Sequence, residues 1–327
     1  MALDQPPLRV WAVSDGRIGI ENQVVGLAEA VGRLVPAEIE VKRLRFRPVF
    51  DRWPSALKLF PRAMLDRSSD RLAPPWPDLW IAAGRATLPF SVNVRRWSRG
   101  ATFVVQAQDP RWPARLFDLV APPRHDGLDG PNVVPITGSP NRVTRERLTA
   151  GVEAFAGRLA GLPTPRVAVL VGGRSRAFDL TVATAERLAA QIEQAVRSAS
   201  GSVLVTFSRR TPPDARAVLE RRLAALPGWV WDGTGDNPYF AFLGAADHIL
   251  VTEDSANMAA EAAFTGKPVH VLKMDGGGDK FRRLHDELSA LGAARPFDGV
   301  LTGWTYAPLN ETERLARVVV ERLAARA

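Results

Sequence analysis

The sequence predicts an α/β protein built from two Rossmann-like, doubly wound domains facing a central cleft. Three observations carry that expectation. The chain has 327 residues, about twice the ~150 that one domain commonly uses. Short apolar runs alternate with segments whose apolar residues recur at helical spacing, the order that builds a parallel sheet. A strand, a glycine-containing loop and a helix follow one another twice, first from Leu8 and again from Arg166.

In order along the chain, residues 8–13 form the first apolar run and lead into Ser14-Asp15-Gly16-Arg17-Ile18-Gly19. Val24, Leu27, Ala28, Val31, Leu34 and Val35 then recur at helical spacing. Strands are expected at 39–44, at 79–83 ending in Gly84-Arg85, at 101–106 and at 116–121. Residues 122–165 gather Pro122-Pro123, Gly127, Gly130-Pro131, Gly138, Pro140, Pro163 and Pro165 around a helical segment near 145–159, which puts the domain boundary there. The second unit opens with a strand at 166–171, the loop Gly172-Gly173-Arg174-Ser175 and a helix over about 180–196. Strands at 202–207, 248–252 and 269–272 follow, with a helix near 257–265 stopped by Gly266-Lys267-Pro268. Leu315, Val318, Val319 and Leu323 share one face of a terminal helix that must pack on something. The expected division is 1–150, 151–310, and a helix at 311–327 returning to the N-terminal domain.

With 46% hydrophobic and 24% charged residues the composition is globular, and no run reaches the ~18 apolar residues of a spanning helix. The absence of cysteine excludes disulfides, thiolate metal sites and cysteine nucleophiles. Residues 1–7 lack the cationic stretch and apolar core of a signal peptide, so a cytoplasmic location is expected. The net charge of +8 lies in the first half: residues 1–150 hold twenty-two basic against fifteen acidic side chains. Residues 42–71 alone carry nine basic groups (Lys42, Arg43, Arg45, Arg47, Arg52, Lys58, Arg62, Arg67 and Arg71), interleaved with Phe46, Phe50, Trp53, Leu57, Leu59, Phe60 and Leu65. Two readings compete: a solvated charged face over an ordinary core contact, or a surface for an anionic membrane or lipid-linked acceptor at the inner face of a membrane. No helix-turn-helix, zinc-finger or RNA-binding aromatic motif accompanies the charge, so nucleic acid is not an expected partner.

Ligands of open α/β sheets bind beyond the carboxyl ends of the strands. There Gly172 and Gly173 would let backbone amides approach an anion, with Arg174 adding charge, although a plain strand-to-helix turn reads equally well. The loop is neither G-x-G-x-x-G nor a Walker A sequence. Ser208 and Arg209 end the next strand, where a hydroxyl and a guanidinium fork suit a diphosphate. Thr252, Asp254 and Ser255 end another, as ligand contacts or helix caps, and Glu261 follows on the helix, where a carboxylate can accept two ribose hydroxyls. In the first domain Asp15, Arg17, Glu21, Asn22 and Gln23 gather on one loop and helical turn, and Asp15 or Glu21 is the candidate general base. Gly84-Arg85 and Gln106-Ala107-Gln108-Asp109 would line an acceptor side. His125, His248, His270 and His285 show no metal-ligand spacing and no Asp-x-Asp pair is present, so no metal is expected. His248 and His270 sit in apolar strand patterns and read as core residues.

Ser14-Asp15-Gly16 with Glu21-Asn22-Gln23, Ser208-Arg209-Arg210-Thr211-Pro212, Asn237-Pro238-Tyr239, Val251-Thr252-Glu253-Asp254-Ser255, Glu261-Ala262 with Thr265-Gly266-Lys267-Pro268-Val269, and Lys280-Phe281, His285 and Arg295-Pro296-Phe297 together resemble the elongated-mitochondria fission-protein family over nearly the whole chain. That family includes plant mitochondrial-fission factors and many bacterial homologues. It is in turn similar to GT-B glycosyltransferases, among them the lipid-linked N-acetylglucosaminyltransferase of peptidoglycan synthesis, through the Gly172-Gly173-Arg174-Ser175 loop and the Glu261…Gly266-Lys267-Pro268 segment. The resemblance implies a nucleotide-sugar as substrate on the second domain, no cofactor, no metal, and a membrane-associated acceptor on the first. Arg174, Ser208 and Arg209 would then neutralise the leaving diphosphate, Glu261 would hold the ribose, and Asp15 or Glu21 would take the acceptor proton. Many such transferases place a histidine base in the N-terminal loop, where this chain has Ile18, Gly19 and Ile20. The alternative that the family implies is a non-catalytic scaffold that recruits partners to a membrane. An NDP-sugar epimerase would want a Gly-x-x-Gly-x-x-Gly loop and a Tyr-x-x-x-Lys pair, and neither Tyr239 nor Tyr306 is followed by lysine at that spacing, so an epimerase is not expected.

Overall fold

The computed structural model describes residues 6–326, so the reading of residues 1–7 falls in large part outside the described residues. The chain divides into two compact units, Met1–Arg142 with Asn310–Ala327, and Val143–Leu309. No helix among the described residues is long and apolar enough to cross a membrane.

Unit 1 begins with β1 (Leu8–Ser14), α1 (Ile18–Leu34) and β2 (Ala37–Arg43), then α2 (Pro48–Asp51), β3 (Leu79–Ala82), α3 (Leu88–Trp97), β4 (Phe103–Gln106) and β5 (Leu119–Val120). All strand pairs are parallel, in the order β2-β1-β3-β4-β5. Successive side chains of a strand point to opposite faces, and here both faces are covered. Val10 and Ala12 enter one core with α1, while Trp11 and Val13 enter the other with Trp80, Phe90 and Val94. α1 presents Val24, Leu27, Ala28 and Val31 to the sheet. On another face of α1, Gly26 lies so close to the Asn141 carbonyl that a Cβ there would overlap it.

Unit 2 contains α4 (Arg145–Ala154), α5 (Ala156–Leu159), β6 (Arg166–Val171), β7 (Phe178–Asp179), α6 (Val182–Ser198), β8 (Ser202–Phe207), α7 (Pro213–Leu223) and β9 (Gly228–Val230). It continues through α8 (Tyr239–Ala245), β10 (His248–Thr252), α9 (Ala256–Ala263), β11 (Val269–Leu272), β12 (Asp275–Gly276), α10 (Asp279–Ala290) and β13 (Ala294–Pro296). Its parallel sheet has the order β13-β11-β10-β6-β8-β9, the six-strand order of a dinucleotide-binding fold, and β7 with β12 makes a separate antiparallel pair. Val167, Val169 and Val171 of β6 face α6 and α7, whereas Ala168 and Leu170 face α8 and α9. α4 belongs to this unit because Gly151 and Gly244 let its backbone touch that of α8. His270 is buried against Phe297 and Trp304, with its Nε2 3.3 Å from Nδ1 of His248, and burial pushes its imidazole down to about 4. These two histidines are structural.

α11 (Glu311–Ala324) returns to unit 1 and completes its first core with Leu315, Ala316 and Val319. Glu311 accepts from the Thr137 amide and Thr312 from the Asn141 amide, which pins the helix at its start. Truncating Leu315 to alanine therefore costs about 2–5 kcal/mol, through lost transfer energy and the cavity left behind. The check is a thermal unfolding scan, in which a melting temperature unchanged from wild type would show that α11 is dispensable to that core.

Candidate functional site

In each sheet the winding direction reverses next to the first strand, and the loops at that reversal form the natural ligand edge. In unit 2 the reversal lies between β6 and β10, which brings the Gly172–Ser175 loop beside Thr252–Ser255. The Gly172 amide donates to Thr252 Oγ1 at 2.7 Å and the Gly173 amide to Asp254 Oδ2 at 3.0 Å. The Thr252 hydroxyl donates to Asp254 Oδ1 at 2.7 Å, and Arg210 Nη2 to Asp254 Oδ2 at 2.7 Å. The Asp254 side chain is fully buried, so a single carboxylate ties the loops after β6, β8 and β10 together. This explains both glycines: a Cβ at 172 would overlap the Asp254 carboxylate, and one at 173 would overlap the Arg210 carbonyl. The two amides read from the sequence as an anion cradle are thus engaged inside the protein. Ser255 caps α9 by accepting from the Met258 amide at 3.4 Å.

Other groups on this edge are open. Arg209 is exposed and makes no ion pair or side-chain hydrogen bond among the described residues. Arg174 shares an exposed ion pair with Asp179 at 2.8 Å, a contact that a stronger anion replaces at little cost. Ser208 Oγ accepts from the Arg210 amide at 3.1 Å.

Glu261 stands on the helix that follows this edge. Its Oε2 accepts a 2.5 Å hydrogen bond from the phenol of Tyr239, the first residue of α8. Asn237 sets that turn by accepting from the Tyr239 amide at 3.0 Å. Burial pushes the Glu261 carboxyl up to about 7, with the Tyr239 hydrogen bond acting in the opposite direction. A half-buried acid poised at neutrality can accept hydrogen bonds from hydroxyls when ionised. The partnership of Tyr239 with Glu261 escaped the sequence reading. The Asn237-Pro238-Tyr239 motif was visible, but nothing in a 22-residue separation links it to an acid on another helix. Lys267, in contrast, is structural: Nζ donates to the Leu243 and Gly244 carbonyls at the end of α8, at 2.9 and 2.5 Å, and burial lowers its ammonium to about 8.

In unit 1 the reversal lies between β1 and β3. Asp15 is forked by Arg17, with Nε at 2.8 Å and Nη2 at 2.6 Å. Glu21 is forked by Arg43 at 2.7 and 2.8 Å, which holds its carboxyl below the usual range. Gln108 bridges the Gly84 amide and the Gln23 side chain, at 3.2 and 2.8 Å. Gly84 takes a φ of +84°, which only glycine adopts without strain, and so turns β3 into the loop that carries Arg85. Asn22 is half-buried on the same turn of α1 as Gln23. Asp15, Arg17 and Arg85 line a cavity of about 960 Å³ together with Arg45, Arg52, Lys58 and Arg111. Glu21 does not line it. Arg45, Arg52 and Lys58 come from the basic 42–71 stretch that the sequence displays, whereas Arg111 carried no signal, since only the fold brings residues 45–58 and 111 to one edge.

The model of the family described as mitochondrial fission ELM1 matches residues 18–323. A mitochondrial fission protein ELM1 of Arabidopsis thaliana is 31% identical over 277 residues, covering 76% of this chain and 65% of that protein. This chain thus spans about two-thirds of the plant relative's length. An uncharacterized protein of Rickettsia prowazekii (strain Madrid E) is 25% identical over 95% of this chain and 98% of its own. Among solved structures, the UDP-GlcNAc 2-epimerase of Methanocaldococcus jannaschii superposes with a TM-score of 0.58 at 12% identity, covering 96% of this chain and all of that one. The glycotransferase of kitacinnamycin gives 0.51 at 15% identity, covering 98% and 94%. At such identities the likeness is one of fold, and the fold is that of GT-B enzymes. It includes an epimerase class that the Tyr-x-x-x-Lys criterion does not reach.

Proposed function

The chain belongs to the mitochondrial fission ELM1 family, and on that premise we propose that it transfers a sugar from a nucleotide-sugar, bound by unit 2, to an acceptor bound by unit 1, without a metal. The observation that carries the reading is Glu261: a desolvated acid, held by Tyr239, on the helix that follows the switch-point strand β10. It has the chemistry to accept ribose hydroxyls. The diphosphate falls to Arg209 and Arg174 rather than to the glycine amides, and developing negative charge at a leaving group is what such cations stabilise. Of the two carboxylates named as bases, Asp15 is the assigned one, because it lines the unit 1 cavity and Glu21 does not.

The test is thermal stabilisation by a panel of free nucleotides and nucleotide-sugars. A native-state ligand at a hundred times its Kd adds about 2.7 kcal/mol. One nucleotide is expected to stabilise the protein selectively, and both Arg209→Ala and Glu261→Ala are expected to lose the effect. The second reading is the non-catalytic scaffold, and one observation favours it: both acids at the N-terminal loop are forked by arginines, and Arg43 makes Glu21 a weaker base. Absence of a shift with every nucleotide decides for the scaffold.

A further inference from the structure

The unit 1 cavity that Asp15 lines carries more positive charge than a base and an acceptor hydroxyl require. The 960 Å³ cavity is lined by six cationic side chains against two carboxylates, Asp15 and Asp51. Arg17 and Arg111 are neutralised by Asp15 and Asp109. Lys58 is buried with its ammonium 3.5 Å from the Phe46 ring centre. The guanidinium groups of Arg45, Arg52 and Arg85 are exposed and make no ion pair or side-chain hydrogen bond among the described residues. Three forks without an ion pair around one hollow, Arg45 sensing Asp66 only at longer range, are the chemistry of a phosphate receptor.

The chain that forms this wall also exposes its apolar side chains. Trp53 lines the cavity, and along the same segment Val49 is 65%, Leu57 56%, Leu59 71% and Phe60 74% exposed. Soluble surfaces rarely hold so many large apolar groups together without a partner. A protein partner would explain the apolar groups, but not an unpaired cationic hollow among them. An anionic bilayer explains both, because phosphates lie at the depth of the cations while acyl chains take the apolar side chains.

We propose that the cavity bounded by Arg45, Arg52 and Arg85 binds the phosphate of an anionic phospholipid, with Trp53, Leu57, Leu59 and Phe60 inserted into the bilayer around it. Binding needs no nucleotide, so this inference stands or falls separately from the transferase reading.

The full-length protein is mixed with sedimenting vesicles of phosphatidylcholine, with and without phosphatidylglycerol. Binding is expected to the phosphatidylglycerol vesicles and to weaken as salt rises. The triple variant Arg45→Ala/Arg52→Ala/Arg85→Ala loses about a hundredfold in affinity, at roughly 1 kcal/mol per basic group. Leu59→Ser/Phe60→Ser loses about tenfold or more through the apolar area no longer buried. All five side chains are exposed, so circular dichroism is expected to show both variants folded. Equal binding to both vesicle types, or unchanged binding in either variant, overturns the proposal. So does thermal stabilisation by inorganic phosphate without vesicle binding, which assigns the hollow to a soluble anion. A dimer in light scattering that Leu59→Ser/Phe60→Ser dissociates, again without vesicle binding, assigns the apolar face to a second copy of the chain and also overturns it.

Discussion

Replacing Asp254 by alanine lowers the stability of the second unit by about 3–5 kcal/mol, because it removes the shared acceptor of two buried donors and of the Arg210 guanidinium at once. The Gly173 amide loses its partner, the Thr252 hydroxyl loses its acceptor, and the exposed Arg210 loses its ion pair. For a unit of this size each kcal/mol moves the midpoint by about 2–4 °C, so a fall of roughly 6–20 °C is expected in a thermal scan. Arg210→Ala is the informative control. Its guanidinium is substantially exposed, so its loss leaves Asp254 with two hydrogen bonds and costs less. The pair is not additive: with Asp254 already gone, removing Arg210 is expected to cost almost nothing further. Equal damage from both single variants would mean that the ion pair, rather than the carboxylate's role as common acceptor, holds the loops. A midpoint unchanged in Asp254→Ala would remove the basis for both glycines as assigned here.

This network also shows where sequence reasoning runs out. Strands 166–171, 202–207, 248–252 and 269–272 were legible to the residue, because a parallel strand covered on both faces is a nearly continuous apolar run. The edge strands Gly228–Val230 and Ala294–Pro296 were not, being three residues long and containing glycine or proline. Nor was α8, whose Tyr239, Phe240, Ala241, Phe242 and Leu243 form an unbroken apolar run with no helical period to detect. The site was half legible for a related reason. Strand ends and glycines mark where a ligand edge forms, so Gly172, Thr252, Asp254 and Glu261 could be named from the sequence. Which donor meets which acceptor depends on contacts across 81 residues for Gly173 and Asp254, and across 22 for Tyr239 and Glu261. The amides of the glycine pair therefore looked available when they were not.

Glu261 yields the second large effect, and pH separates its two consequences. Its carboxyl titrates near 7 in the folded chain against an ordinary value of 4.5. Below pH 4.5 the group is neutral in both the folded and the unfolded chain, and its contribution to stability is fully present. As pH rises, the unfolded chain releases the proton first, so stability falls until the folded carboxyl ionises near 7, by about 3 kcal/mol at most. Glu261→Gln keeps an acceptor for Tyr239 and never ionises. It is expected to match wild type near pH 4.5 and to exceed it at pH 8 in urea denaturation. Nucleotide binding runs the other way. If the ionised carboxylate accepts the ribose hydroxyls, affinity rises about tenfold from pH 6 to pH 8, following the ionised fraction of a group with a pKa near 7. In Glu261→Gln it is weak at every pH. A variant more stable than wild type at pH 8, yet unable to bind, is what a functional site predicts when a buried acid is kept at a cost to the fold. A pH-independent wild-type affinity would remove Glu261 from the ribose contact, and equal stability at pH 8 would show that its carboxyl is not desolvated.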